Sequence, residues 1–282
     1  MAEPANVTAH SGHMEISGVR LEYAWVGPEP GTGPDARPTL VLLHEGLGCV
    51  SMWRDFPERL SQATGCGALV FSRRGYGASD PAPLPRPLSY MHDEAFDVLG
   101  PVLDHFAIER AILVGHSDGA SIAAIYAGGV PDHRVRGLVL LAPHFIVEDI
   151  CVKSIAEAKT VYETTDLRER LARHHGDNVD CAFWGWNRVW LESDFRKWDI
   201  TEYLPYIRVP MLIIQGDDDE YGTPRQIEIA REECYSPVEA ALLPECGHAP
   251  FRDQPEATLA AASAFILHLI AVETGEREGV AG

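Results

Sequence analysis

The chain alternates short apolar runs with breakers and helix-forming stretches. Seven runs read as strands: RLEYAWV (20–26), TLVLLH (39–44), ALVFS (68–72), RAILVG (110–115), RGLVLLA (136–142), PMLIIQG (210–216) and VEAALLP (238–244). Several are continuously apolar, the pattern of strands covered on both faces in a largely parallel sheet. Between them, residues 51–64, 94–106, 120–128, 224–234 and 256–270 read as helices. In the first, Trp53, Phe56 and Leu60 fall at helical spacing, and Pro57 is tolerable only near the first turn. Strand and helix in alternation imply crossover units and an α/β fold with a mostly parallel central sheet flanked by helices.

The rhythm breaks once. From 145 to 207 no strand-like run occurs, while SIAEAKTVYE and LRERLARHH read as amphipathic helix and aromatics crowd AFWGWNRVWLESDFRKW. A structureless loop of about sixty residues is improbable inside a domain, so this segment is expected to be a helical cap over the sheet edge. The predicted organisation is a first core part at 13–144, the cap at 145–207, a second core part at 208–272 and a flexible tail at 273–282. Residues 27–38 read as a surface loop.

Composition narrows the field. A chain of 282 residues, 46% hydrophobic, suits one large core. The net charge of −19, from 23 basic and 42 acidic residues, argues against nucleic acid or anionic membrane as a partner. No apolar run reaches 18 residues, so no membrane span is expected, and the N-terminal MAEPANVTAHSGHM lacks the basic and apolar parts of a secretory signal. Six scattered cysteines without metal-ligand spacing point to reduced thiols, a cytoplasmic location and no metal site.

Against this background, ILVGHSDGASIAA (112–124) stands out as strand, Gly-His-Ser-Asp-Gly, then helix. A sharp strand-to-helix turn forces its central residue into an unfavourable backbone conformation, and glycines two residues either side relieve the crowding. Such a turn exposes Ser117 near a helix N-terminus, where negative charge is favoured. A serine hydroxyl needs a base, and His248 in LPECGHAPFRDQPE is the candidate. A carboxylate to orient that histidine is expected after the preceding strand, where Asp217, Asp218, Asp219 and Glu220 stand together. The order Ser, Asp, His matches one known arrangement of these groups on an α/β sheet.

With HEGLG (44–48), SRRGYGASD (72–80), GHSDG (115–119), GDDDEYGTP (216–224) and GHAPFRDQPE (247–256), the sequence resembles the α/β-hydrolase-fold family, in its capped serine-hydrolase branch, over residues 20–272. The resemblance selects Asp219 as the acid, with Asp218 as the fallback. It also implies an oxyanion hole made of the Gly46 and Asp118 backbone N–H groups. Two departures stand out: Glu45 replaces the usual glycine, and an aspartate follows the serine. Glu45 is expected either to face outward, bonded to loop backbone or to Arg73 or Arg74, or to line the pocket and select a polar or cationic group. His44 is expected to brace the turn.

Pocket walls are sought in Phe183, Trp184, Trp186 and Trp190 of the aromatic-rich segment, and in His144 at its hinge. His174 and His175 read as solvated, Cys49 and Cys246 as packing residues. The leading expectation is a serine hydrolase of small, apolar carboxylic esters that needs no cofactor and acts on a small molecule as a monomer or homodimer. A serine at the turn disfavours dehalogenase and epoxide-hydrolase chemistry, which needs a carboxylate nucleophile. A C–C bond or enol-lactone hydrolase, and a non-catalytic ligand-binding homologue, are the alternatives.

Overall fold

The computed structural model describes residues 9–31 and 36–275. Strands β1 (Ala9–Ile16) and β2 (Val19–Val26) form a hairpin, followed by β3 (Thr39–Leu43), β4 (Ala68–Phe71), β5 (Ala111–His116), β6 (Val135–Leu141), β7 (Met211–Gly216) and β8 (Val238–Leu243). They make one eight-stranded sheet ordered β1-β2-β4-β3-β5-β6-β7-β8. The β1/β2 and β2/β4 pairs are antiparallel and the rest parallel.

The apolar runs are buried on both faces. Val41, Leu43, Leu113 and Leu140 belong to one hydrophobic cluster; their neighbours Leu42, Ile112, Val114 and Val139 belong to the other. Side chains alternate across a strand, so a continuous apolar run serves two helical layers at once. The second cluster is closed by α1 (Phe56–Thr64) and by the C-terminal helix, which supply Phe56, Leu60, Phe265 and Ile266. Pro57 sits in the first turn of α1, where its missing N–H costs no intrahelical bond.

The next helical stretch is longer than the expected 94–106. It runs through α2 (Tyr90–Asp93), a widened π-helical turn at Glu94–Leu99, and α3 (Gly100–His105). Pro101 lacks the N–H that would continue the regular ladder, which accounts for a wide turn just before it. Helix α4 (Asp118–Gly129) follows β5 directly. Between β6 and β7 lie α5 (Asp149–Thr164), α6 (Leu167–His175) and α7 (Val179–Trp190), with short 3-10 turns after them. The chain then adds α8 (Arg225–Glu233), α9 (Pro250–Asp253) and α10 (Pro255–Thr274).

Two sequence expectations need correction. The core begins earlier than residue 13, because β1 pairs along all of β2. The tail begins later than 273: Glu273 and Thr274 close α10, and Glu273 bonds Arg110 and Arg136; residues 276–282 lie outside the described chain. Helix α10 is by length and composition apolar enough to cross a bilayer, with a mean hydropathy of 1.6. Its stripe of Ala262, Phe265, Ile266 and Leu269 packs instead into the second cluster.

Candidate active site

The carboxyl ends of β3, β5, β6 and β7 meet at one edge, the usual place for ligands on an α/β sheet. Ser117 leaves β5 with φ 52° and ψ −117°, a conformation that costs a non-glycine residue about 1–3 kcal/mol. The flanking glycines explain how the turn closes. A Cβ on Gly115 would lie 2.4 Å from the Ala120 Cα, and one on Gly119 would lie 1.9 Å from the Leu43 carbonyl oxygen. The Ser117 N–H donates to the Leu141 carbonyl, which pins the turn to β6.

His248 precedes α9, and its Nε2 lies 2.9 Å from Ser117 Oγ. Its Nδ1 lies 2.8 Å from Asp219 Oδ1 in the loop after β7. That oxygen also accepts the Tyr221 and Gly222 N–H groups at 2.8 and 3.2 Å. The other oxygen receives Gln215 Nε2 at 3.3 Å, from a buried glutamine that also holds the Gly222 carbonyl. Burial pushes the Asp219 carboxyl up, but His248 and the Tyr221 N–H outweigh it and hold it below its ordinary value. Burial likewise pulls the His248 imidazole down, yet Asp219, with Glu220 and Glu45 behind it, holds it above the ordinary histidine value. Asp218 is exposed, away from the imidazole, so the structure brings Asp219 to His248 and not the fallback acid.

A cavity of about 330 Å³ opens over Ser117 and His248. Glu45, Gly46 and His144 line it, as do Trp186 and Trp190; Leu47, Met52, Ile155, Leu167 and Leu171 complete an apolar wall. Phe183 and Trp184 do not line it, contrary to expectation. Phe183 is fully buried in a stack on Tyr162, with centroids 3.6 Å apart, and Trp184 carries Arg188 over its ring on the outer side of α7. Trp186 rests on Gly46, where any Cβ would sit 2.2 Å from its ring. His144 is held neutral: burial, with a smaller push from His248, lowers it to about 3.

Glu45 turns inward. Arg73 takes the backbone carbonyls of His44 and Glu45, leaving the Glu45 carboxylate beside His116. His44 braces this turn: its Nδ1–H donates to the Glu45 carbonyl, and its Nε2 accepts the Arg73 N–H. His175, expected in solvent, is buried; its Nε2–H donates to the Leu47 carbonyl and its Nδ1 accepts the Gly77 N–H, tying α6 to the same turn.

The Asp118 side chain points away from the cavity into a buried polar cluster. Tyr90 donates to it at 2.5 Å and Arg73 lies 3.8 Å away, while the Trp190 indole N–H donates to the Tyr90 oxygen. Both charged partners are 1% exposed or less, so removing one leaves the other uncompensated. Arg73→Met is therefore expected to destabilise the fold by about 3–5 kcal/mol in urea unfolding, far more than a surface arginine would. A change under about 1 kcal/mol would show that Asp118 is held by Tyr90 alone.

Comparison with known proteins agrees with this architecture. A sequence model of the alpha/beta hydrolase family matches residues 40–262. The proline iminopeptidase of Lactobacillus helveticus is 23% identical over 87% of this chain and 93% of its own length. Among solved structures, VinJ superposes with a TM-score of 0.72 at 21% identity, over 92% of this chain and 99% of that one. The carboxylesterase CesB from Bacillus subtilis superposes with a TM-score of 0.67 at 20% identity, over 93% of each chain. The chain belongs to the alpha/beta hydrolase family, and hydrolysis is the activity its esterase and peptidase relatives support.

Proposed function

We propose that the protein is a serine hydrolase of small, predominantly apolar carboxylic esters. The observation that carries this reading is the unbroken hydrogen-bonded line from Ser117 through His248 to Asp219 at the floor of the cavity. His248 takes the Ser117 proton as Oγ attacks the ester carbonyl carbon, and the tetrahedral intermediate places its negative charge on the former carbonyl oxygen. The Gly46 and Asp118 backbone N–H groups are the proposed donors to that oxygen. Asp118 is the first residue of α4, whose N–H has no intrahelical acceptor. His248 then gives its proton to the departing alcohol. In the second half it takes a proton from water, which attacks the acyl-enzyme and releases the acid and free Ser117. This route draws on no metal or organic cofactor. The segment 145–207 acts as the cap, bringing Trp186 and Trp190 over the acyl group.

The charged lining bears on substrate class. Glu45, Glu220 and Asp253 line the cavity wall against Arg252 and the His116 ring, so carboxylates outnumber cations even with His116 charged. An anionic substrate, such as the carboxylates of the C–C bond and enol-lactone alternatives, is therefore disfavoured. The same carboxylates favour a second reading, hydrolysis of esters or amides that carry an ammonium group.

The test is a set of p-nitrophenyl esters of increasing acyl length, with succinyl and aminoacyl versions of matched size. The expected result is a rise in kcat/KM with acyl length until the tail outgrows the cavity, with the succinyl ester poorest. A best rate on the aminoacyl compounds would establish the second reading. Preference for the succinyl ester would remove the electrostatic argument. Slow fluorophosphonate labelling with no turnover of any ester would point to a ligand-binding homologue.

A further inference from the structure

We infer that Glu45 and doubly protonated His116 form a charged clamp that positions the turn after β3 and the His248 loop against the Ser117 turn. The inference rests on the ester-hydrolase reading for its kinetic consequence and on hydrogen-bond geometry for its existence. His116 immediately precedes Ser117, and its ring is 3% exposed. Its Nε2 lies 2.7 Å from the His248 carbonyl oxygen. A carbonyl only accepts, so Nε2 carries a hydrogen. Its Nδ1 lies 3.3 Å from Glu45 Oε2, and a carboxylate also only accepts. Neutral imidazole has one N–H. Serving both partners takes the imidazolium.

A protonated Glu45 donating to Nδ1 would also satisfy the geometry, and burial favours it. Beside a charged His116, the bond and the charge of that ring outweigh burial and hold the Glu45 carboxyl down to about 2, whereas a protonated Glu45 would leave His116 with one ring N–H, a difference the nitrogen spectra read directly. The backbone is shaped for the inward carboxylate. A Cβ on Gly48 would lie 2.2 Å from Glu45 Oε2, so this glycine leaves the space the side chain folds into. The titratable groups facing His116 are Glu45 from the turn after β3, His248 with ring centroids 5.3 Å apart, and His144 from beyond β6. Trp53 and Phe251 close its remaining sides.

The clamp joins three segments that the proposed reaction needs in register: the Gly46 turn, the nucleophile turn and the loop carrying His248. It acts by positioning and does not touch the reacting atoms.

The experiment uses protein labelled with ¹⁵N-histidine, in wild-type and Ser117→Ala backgrounds. At about pH 7, both His116 ring nitrogens are expected to carry hydrogen, with the signal identified by its loss in His116→Gln. In Glu45→Gln, whose amide can donate to a bare Nδ1, His116 is expected to show a single ring proton. Glu45→Ala is expected to lower kcat by about 10- to 100-fold with little change in KM. Glu45→Gln, whose amide can still reach Nδ1, is expected to recover most of that loss. If His116→Gln fails to fold, the shift difference between wild type and Glu45→Gln makes the assignment. A neutral His116 in the wild type, or an unchanged kcat in Glu45→Ala, would overturn the clamp. Should the wild type turn over no ester, the nitrogen spectra and the rate of fluorophosphonate labelling still decide it.

Discussion

Ser117→Ala is expected to lower kcat on the best p-nitrophenyl ester by about a million-fold, and to abolish fluorophosphonate labelling. Among the described residues, Ser117 Oγ is the hydroxyl that meets His248 Nε2, at 2.9 Å, and it lies on the cavity floor. Without it, no acyl-enzyme forms on that route. What remains is binding and the two proposed oxyanion donors, which in related chemistry still accelerate hydrolysis about 10³-fold over water. The fold should be indifferent to the change. Alanine at φ 52° carries the same backbone strain as serine, and the lost hydrogen bond is to a histidine that water can satisfy. An unchanged melting temperature beside a collapsed rate is thus the expected pair of results. Turnover within about tenfold of wild type would place the nucleophile elsewhere.

Much of this site was legible before any coordinates, for a physical reason. The strand-to-helix turn imposes glycines on both sides of the serine, and the clashes at Gly115 and Gly119 show why those residue types are needed. Continuous apolar runs likewise announced the central strands β3 to β7, because burial on two faces leaves little room for a polar position. Strand β1 escaped notice. AHSGHMEI buries only Met14 and Ile16, and its strand state comes from pairing with β2, a long-range contact that no local pattern carries.

The aromatic segment shows the other limit. Four rings in eight positions announce a packed helix but not its rotation. Trp186 and Trp190, four residues apart, share the face over the cavity; Trp184, two residues from Trp186, faces the other way. Phe183 is drawn off by Tyr162, a partner some twenty residues earlier in α5. Polar partnerships were the least legible of all. His116 with Glu45, His175 with Leu47 and Gln215 with Asp219 depend on which loops meet, and only the fold decides that. A signal did exist for the first: a glutamate in a glycine-rich turn, in a chain whose serine is preceded by histidine, invites the question of what pairs with it.

Asp219→Asn is expected to lower kcat by about 10³- to 10⁴-fold and to move the acid limb of kcat/KM toward lower pH. The direction follows from the sign of the His248 shift. His248 must be neutral to take the Ser117 proton. In the wild type, carboxylates hold its folded value above 6.5, so activity is lost as pH falls through a point above 6.5. Burial acts the opposite way, and with the Asp219 charge gone it meets only the more distant Glu220 and Glu45, so the limb should drop. The geometry predicts how asparagine sits. Its oxygen belongs where the Tyr221, Gly222 and His248 N–H groups converge, which leaves its NH₂ opposed to the Gln215 amide. Gln215 cannot turn over to relieve this, since the same nitrogen donates to the Gly222 and Thr223 carbonyls. His248 therefore keeps the productive tautomer, and the rate loss measures the missing negative charge as the imidazolium forms. A loss below about tenfold with an unmoved acid limb would mean that another acid serves His248, and would undo the assignment of Asp219.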